Sequence, residues 1–455
     1  MERFPYGNHD VPRDVPFTKQ RKRMRTLYTR LAALICFLLT AGSAHAEGFA
    51  LYEYSARGVA LGGALVARKP DASAAAYNPA LMTKLPGIHV MGGVSAITPD
   101  GKIRTTDSNG RREITTLKPS TWIVPHLYYT QQLNEHFTVG VGEFTRYGLG
   151  FEYPHEWPGR FNIYQAHLTS MSVNPSIAWA ATDNLSLAAG VELVYVSLDL
   201  KKRAKIPLRN YGINGFGEVD SNIQDAEAFG VGFNLAGHYQ FNDQWAVGLQ
   251  YRSQVRVRAW GDMQYSYMGY KDGNDPRGDP IARAIYAGAF HDGPAHAVVL
   301  LPDSIAAGIA WTPIPQLSVE LGATWTHWST FRDLNIHIPD PLPTSEIHEH
   351  WKDCWRINLG VEYEPLDWLV LRAGYIYDQS PMTRGYASYL VPTNDRNMYS
   401  LGVGFKWDAW TLDLATAYIQ PKNRSYKGNE AIHVLDSKTR NTSTTIFSVS
   451  LGYQF

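Results

Sequence analysis

Cysteine is nearly missing from this chain, with two in 455 residues. Cys36 falls in an apolar run near the start, so Cys354 stands alone in the remainder and a disulfide framework within one copy is excluded. Long hydrophobic runs are missing too. The apolar stretch from Leu31 to Leu39 is well short of the roughly 20 residues that a spanning helix needs, and nothing after Ala46 approaches that length, so helical membrane spans are excluded. Nor is there an excess of either charge, since Lys plus Arg and Asp plus Glu each number 42. Residues 1–46 hold eight basic and three acidic side chains, which leaves 34 basic against 39 acidic beyond them. That mild acidity argues against nucleic acid as a partner.

What is present begins with an export signal. A basic cluster between Arg21 and Arg30, the short apolar run, and small residues ending in Ala44-His45-Ala46 predict a signal peptide over 1–46, cleaved after Ala46. The stretch before Met24 is long and polar for such a signal, which makes Met24 an alternative start.

Beyond the signal the dominant pattern has period two, that of a strand with one apolar face. Phe447, Val449, Leu451, Tyr453 and Phe455 alternate with Ser448, Ser450, Gly452 and Gln454. Leu317, Val319, Leu321, Ala323 and Trp325 alternate with Ser318, Glu320, Gly322 and Thr324. About 14 such segments run along the chain, at 88–97, 119–132, 136–146, 166–181, 184–200, 226–241, 244–260, 302–313, 316–331, 350–364, 367–378, 396–407, 410–421 and 443–455. A soluble sandwich and a membrane barrel share this alternation, and the connections separate them. Short ones at Asn134-Glu135, Thr182-Asp183, Asn242-Asp243, Pro313-Ile314-Pro315, Pro365-Leu366 and Asp408-Ala409 alternate with long ones at 98–118, 147–165, 201–225, 261–301, 332–349, 379–395 and 422–442. Short periplasmic turns and longer outer loops in strict alternation predict an all-β fold, an antiparallel transmembrane β-barrel over 88–455 in the bacterial outer membrane.

Other features agree. Trp122, Tyr128, Tyr129, Trp245, Trp260, Trp325, Trp328, Trp368, Tyr375 and Tyr377 cluster near strand ends, as interfacial aromatics do. The chain ends on the aromatic Phe455, the ending that outer-membrane assembly machinery recognises. Glu192, Glu320, Arg356, Glu362, Arg372 and Asp413 fall on the polar side of the alternation and are expected in the lumen, where pairing with one another or with a plug is favoured over a direct ligand role.

Residues 47–87 are of another kind. Ser55 to Ala67 is rich in small residues, Asp71 is a candidate N-cap for a second small-residue stretch from Ala72 to Tyr77, and Asn78-Pro79-Ala80-Leu81 breaks and restarts the chain. Two or three short helices with so little bulk cannot form a core alone. A plug inside the barrel is the simplest place for them, a loose periplasmic arm the alternative.

Together Gly48-Phe49-Ala50-Leu51-Tyr52-Glu53, Asn78-Pro79-Ala80, Leu301-Pro302-Asp303-Ser304, Trp325 to Phe331, Trp351 to Arg356 and Arg372 to Pro381 resemble the recurrent blocks, in order, of the FadL-type long-chain fatty-acid and aromatic-hydrocarbon transporter family of bacterial outer membranes. The resemblance implies a 14-stranded barrel with an N-terminal hatch, capture of a hydrophobic substrate at the outer face, an apolar lumen pocket and sideways release into the membrane. The strand count above is not independent of it. Gly48, Phe49, Asn78, Pro79 and Ala80 would be hatch residues. Gly142-Glu143-Phe144 would be the kink of the third strand, because Glu143 takes an outward position after Val139 and Val141; a strand that simply ends near Gly142 reads equally well. Ile281, Ile285 and Phe290, on one face of a candidate amphipathic helix, would line the entry groove, and loop self-packing explains them as easily. Arg356 or Arg372 would hold a carboxylate head group, though structural pairing is favoured for both.

The resulting expectation is energy-free diffusion of fatty acids or aromatic hydrocarbons. Outer-membrane lipid and lipopolysaccharide are the surrounding partners, and no cofactor is required. A general porin or a purely structural barrel is the alternative. An enzyme is not expected, because His126, His155, His167, His291, His296 and His327 are scattered with no nucleophile motif beside them. No Cys and His spacing suggests a metal site.

Overall fold

In hydrocarbon a backbone N–H or C=O finds no water, so a sheet that spans a membrane must leave no edge. The computed structural model describes residues 48–455 except 108, 384, 387, 392 and 393, and the expected signal peptide lies outside them. Fourteen strands close the sheet. They are β1 (Ile88–Thr106), β2 (Trp122–Gln132), β3 (Phe137–Phe144, resumed at Gly148–Glu152), β4 (Gln165–Ala180), β5 (Leu185–Pro207), β6 (Phe216–Asn242), β7 (Trp245–Arg252, resumed at Val255–Lys271), β8 (Gly293–Leu301, resumed at Ser304–Ile314), β9 (Leu317–Thr326), β10 (Cys354–Leu366), β11 (Leu369–Asp378), β12 (Arg396–Trp407), β13 (Trp410–Pro421) and β14 (Asp436–Gln454). Each is antiparallel to its chain neighbours, and β14 returns to β1 from His89 opposite Gln454 to Thr106 opposite Asp436. The Phe455 amide completes the seam by donating to the Ile88 carbonyl at 2.9 Å.

Turn chemistry explains where the short connections fall. Asn134 Oδ1 accepts from the amides of His136 and Phe137, both at 2.9 Å, and Asn242 Oδ1 accepts from Gln244 and Trp245 at 2.9 and 3.0 Å. These side chains take the place of missing ladder bonds, as Asn does in tight turns.

The strands run further than the alternation suggests. Most of the expected loop 201–225 belongs to β5 and β6, and much of 261–301 to β7 and β8. The reason is an inversion of polarity, clearest in β7. In its first part Trp245 and Leu249 are exposed while Gln250 and Arg252 are buried; in its second part Arg256, Arg258 and Trp260 are exposed while Val255, Val257 and Ala259 are buried. Between the two, at Ser253-Gln254, the wall leaves lipid and enters water. Below that level the lumen is polar and the outside greasy; above it the order reverses, and the largest apolar cluster of the molecule lies inside the extracellular funnel. Two of the expected interfacial aromatics are therefore elsewhere: Tyr128 and Trp328 are fully buried and face inward.

The N-terminal segment fills the lower lumen. Helix α1 (Ala56–Ala60) starts at Ser55, whose hydroxyl accepts from the Gly58 amide at 3.0 Å. Helix α2 (Ala74–Tyr77) starts at Ser73 rather than Asp71; the Asp71 carboxylate instead holds the Ser73 amide at 2.9 Å one turn earlier. A 3₁₀ turn, Pro79–Lys84, begins where Asn78 Oδ1 accepts from the Ala80 amide at 3.0 Å. Small hatch residues face wall glycines because the backbones nearly touch. A Cβ on Gly248 would lie 1.9 Å from the Val66 carbonyl oxygen, and one on Gly374 would lie 2.5 Å from the Gly62 nitrogen.

Inward charges bind this segment to the wall, as the pairing reading expects. Arg57 lies on Glu362 with two contacts of 2.8 Å, Arg372 bridges Glu362 at 2.7 Å and Asp413 at 2.6 Å, and Glu320 accepts the amides of Val66, Ala67 and Arg68 at 2.7, 3.1 and 2.9 Å. Removing one partner of a buried pair costs about 3–5 kcal/mol because it strands the other. Glu320→Ala leaves three amides without their acceptor and the Arg68 guanidinium without the counter-charge 3.5 Å away, although it keeps the Gly360 carbonyl. We expect amide hydrogen exchange at residues 66–68 to accelerate at least a hundredfold in E320A while the barrel strands stay protected. Unchanged protection at those three amides would show that something other than Glu320 holds the hatch.

Candidate functional site

Strand β3 is where the wall departs from regular pairing. Its alternation continues through Phe144, which is buried, paired opposite Ser172 and packed with its ring tilted against that of Tyr54 of the hatch at 4.9 Å, so the register does not break at Gly142-Glu143-Phe144 as the pattern suggests. The break comes one residue later. Thr145, Arg146 and Tyr147 turn inward and are buried, and pairing with β4 resumes at Gly148 opposite Thr169.

The inward turn has its own partners. Arg146 Nη1 donates to Glu192 at 3.0 Å, and Arg252 reaches the same carboxylate oxygen at 3.0 Å. Tyr147 donates its amide to Ser170 Oγ at 3.0 Å, and that hydroxyl donates back to the Tyr147 carbonyl at 2.8 Å. The first hatch residues join as a short added strand: the Leu51 amide donates to the Arg146 carbonyl at 2.8 Å and the Gly148 amide to the Phe49 carbonyl at 3.0 Å.

On the other side a ladder is interrupted. β2 pairs with β3 only between Leu127 and Gln132, while Trp122 to His126 pair with β1 alone. A cavity of about 470 Å³ occupies the opening. At its inner end are Phe49, Glu53 and Arg396, along its walls Leu149 and Phe151, and at its outer end Ile123 and Met171. Ile123 is 61% and Met171 44% exposed on the barrel exterior, so the cavity runs from the hatch to the lipid-facing surface. Trp122 closes the upper margin, its ring edge-on to His167 at 4.7 Å.

Above the inner end Phe49 sits in an aromatic cage, 4.7 Å from Trp328, 5.7 Å from both Phe331 and Trp351, and 5.9 Å from Tyr147 between ring centres. Gly48 has φ +52°, and a Cβ there would lie 2.6 Å from the Trp351 ring, so glycine is required on both counts. Trp351 is aimed by Glu349, which accepts its indole N–H at 2.9 Å and the Ser388 hydroxyl at 2.7 Å. Burial pushes the Glu349 carboxyl up to about 7.

A second cavity, of about 410 Å³, opens among the outer loops. Phe161, Leu200, Met263, Ile336 and Leu390 line it, with Lys202 at its edge 3.4 Å from Ser345 Oγ. Of the expected entry residues Phe290 lines this cavity. Ile281 and Ile285, on helix α3 (Gly278–Ala289), are half-buried against the apolar cluster of the funnel and do not line it. Arg372 is committed to Glu362 and Asp413, and Arg356 lies 4.3 Å over the Tyr52 ring with Nη2 on Thr324 Oγ1 at 3.0 Å, so neither borders the large apolar spaces. Asn78, Pro79 and Ala80 are buried in the hatch, where Asn78 Nδ2 donates to the Val66 carbonyl at 2.7 Å. The sequence pattern missed Lys202, Glu349 and the cage around Phe49, because their partners come from loops that periodicity cannot bring together.

Comparison with known proteins completes the description. A family model described as outer membrane protein transport protein (OMPP1/FadL/TodX) matches residues 37–455. The chain is 28% identical to outer membrane protein P1 of Haemophilus influenzae, over 92% of this chain and 97% of that one. It is 26% identical to the long-chain fatty acid transport protein of Escherichia coli K12, over 95% and 99%. Among solved structures, a Pseudomonas aeruginosa FadL homologue superposes with a TM-score of 0.77 at 20% identity, over 90% of this chain and 100% of that one. The Pseudomonas putida toluene transporter TodX gives 0.70 at 20% identity, over 89% and 99%. At those identities the superpositions establish the barrel fold. The match of the family model over nearly the whole chain establishes kinship, and this protein belongs to the OMPP1/FadL/TodX family of outer membrane transport proteins.

Proposed function

We propose that this protein takes up hydrophobic small molecules, long-chain fatty acids or aromatic hydrocarbons, across the outer membrane by energy-free diffusion, with sideways release through the interruption in β3. The observation that carries this reading is the cavity joining Phe49 to the lipid-facing side chains Ile123 and Met171. Each CH₂ moved from water into such a space gains about 0.8 kcal/mol. The funnel cavity collects the molecule, the Phe49 cage separates it from the wall cavity, and the exit leads into hydrocarbon. An axial route is opposed by the charges that bind the hatch below: a greasy molecule would have to part Arg57, Glu362 and Arg372. The same filling argues against a general porin, whose lumen is wide and wet. The transport reading assigns no catalytic group and requires no cofactor.

Three partners follow from the same reading. Outer-membrane lipid and lipopolysaccharide would surround the exposed apolar belt, and Phe455, 71% exposed at the end of β14, would be the handle for assembly machinery after export on a cleaved leader over 1–46. Lys202 at the edge of the funnel cavity favours an anionic head group and so a fatty acid.

Binding of oleate and of toluene to the purified protein tests this. Lys202→Ala should weaken oleate about fivefold, the loss of one charge-assisted contact of about 1 kcal/mol, and leave toluene unchanged; equal loss for both would remove Lys202 from head-group recognition. Thr169, exposed at the mouth of the wall cavity, provides the second check. Thr169→Trp should leave equilibrium binding within twofold and slow transfer of bound ligand into lipid vesicles by roughly tenfold, since a barrier of about 1.4 kcal/mol suffices. If transfer keeps its rate, the molecule leaves another way. If neither ligand binds while the protein conducts small ions in a planar bilayer, the porin reading takes over.

A further inference from the structure

Spacing along the chain points to no metal site, yet the fold assembles one candidate from residues that are distant or interleaved in sequence. A surface hairpin pairs Asp333–His337 with Ser345–His348 and sets Asp333 opposite His348. His348 Nδ1 is 2.7 Å from Asp333 Oδ1, His350 Nε2 is 3.9 Å from the same oxygen, and the three atoms all lie within 4.8 Å of one another. We propose that Asp333, His348 and His350 form a site for a zinc-class divalent cation on the loop that covers the hatch's first residues, beside the funnel cavity that His348 helps to line.

The donor set suits the ion. Two imidazoles and a carboxylate are zinc ligands, and bonds of about 2.0–2.2 Å in a tetrahedron put ligand atoms about 3.4 Å apart. The 2.7 Å separation is a hydrogen bond that the ion would replace, the 3.9 Å one needs a shift of about half an ångström to reach that spacing, and the two imidazole nitrogens, within 4.8 Å of each other, need a closure of at most about 1.4 Å. All three side chains are partly exposed, from 32% for His350 to 50% for His348, so Asp333 and His348 can close toward His350, whose ring rests on Tyr386, and a water can take the fourth position. Magnesium, which prefers oxygen ligands and keeps its waters, does not fit.

The surroundings hold the ligands in place. With Nδ1 of His348 on the ion, its Nε2 faces Glu346 Oε2 at 3.6 Å, and a carboxylate behind a ligating imidazole is the usual orienting partner. His350 is fixed from three sides. Its amide donates to the Arg332 carbonyl at 3.0 Å, its carbonyl accepts from the Thr383 hydroxyl, and its ring lies 4.3 Å from that of Tyr386. Glu349 points the other way, into the protein, where it aims Trp351 at the Phe49 cage. An ion outside would thus pin both neighbours of the residue that positions the cage.

Calorimetric titration of the full, tag-free protein with ZnCl₂ tests the site. We expect one ion per chain, no heat with MgCl₂, and at least tenfold weaker zinc binding in His348→Ala and in Asp333→Asn, each verified as a folded barrel by far-ultraviolet circular dichroism. Asp333→Asn keeps the shape of the side chain, so loss of binding there reads coordination and not collapse of the hairpin. Absence of zinc binding at millimolar concentration, or binding that both variants retain, overturns the assignment.

Discussion

An opening in a membrane wall is a problem of hydrogen bonds before it is a route. A strand that stops pairing inside hydrocarbon exposes N–H and C=O groups at several kcal/mol each. Here the Arg146 carbonyl, both backbone groups of Tyr147 and the Gly148 amide do not face lipid, because the chain turns into the lumen, where Leu51, Ser170 and Phe49 respectively meet them. The hatch and the opening therefore depend on one another. Without residues 49–51 the inward turn would have unpaired backbone, and without the turn the hatch's first residues would have no strand to join. The cage around Phe49 stands on the same attachment, since Tyr147 is one of its walls.

The inversion of polarity along β7 follows from what each level of the barrel touches. Where lipid is outside, apolar residues gain nothing by turning inward, and the lumen can hold charges only if they are paired, which the network from Arg57 to Asp413 achieves. Where water is outside, the hydrophobic effect acts in its usual direction and gathers Val255, Val257 and Ala259 with the loop residues above them. The outcome is a greasy funnel over a polar floor. An apolar molecule that reaches Phe49 has hydrocarbon beside it and ion pairs beneath it.

Much of this is legible in the sequence. Period-two alternation with strictly alternating connection lengths locates the strands, and charges on the polar parity, such as Glu320 and Glu362, are where that parity places them. What escaped did so for definite reasons. Extension of the strands beyond the membrane reverses the parity of apolar residues, so Arg256 to Trp260 continue a strand while the segments after them read as loop. Phe144 looks like a break because an inward aromatic is unexpected in a polar lumen, and the hatch ring of Tyr54 with the Arg252 guanidinium over its face explains it. Tyr128 and Trp328 fit an interfacial belt as well as a lumen until the fold decides. The entry residues Ile281 and Ile285 sit one helical turn apart, and the pattern cannot say which neighbour that stripe meets.

The attachments of the hatch also indicate which part of it can move. Its floor is fastened by buried ion pairs and by the three amides on Glu320, each costly to leave unmatched. Its first residues are fastened by two backbone bonds to the turn of β3 and by ring contacts around Phe49, and a typical hydrogen bond is worth only about 0.5–1.5 kcal/mol net. Displacing Gly48 to Leu51 is therefore far cheaper than displacing the helices behind them. A ligand whose apolar surface replaces Phe49 in the cage recovers most of that cost from burial. On the proposed route, passage needs a local exchange of one aromatic side chain for another apolar group, and the ion pairs of the floor can stay intact throughout.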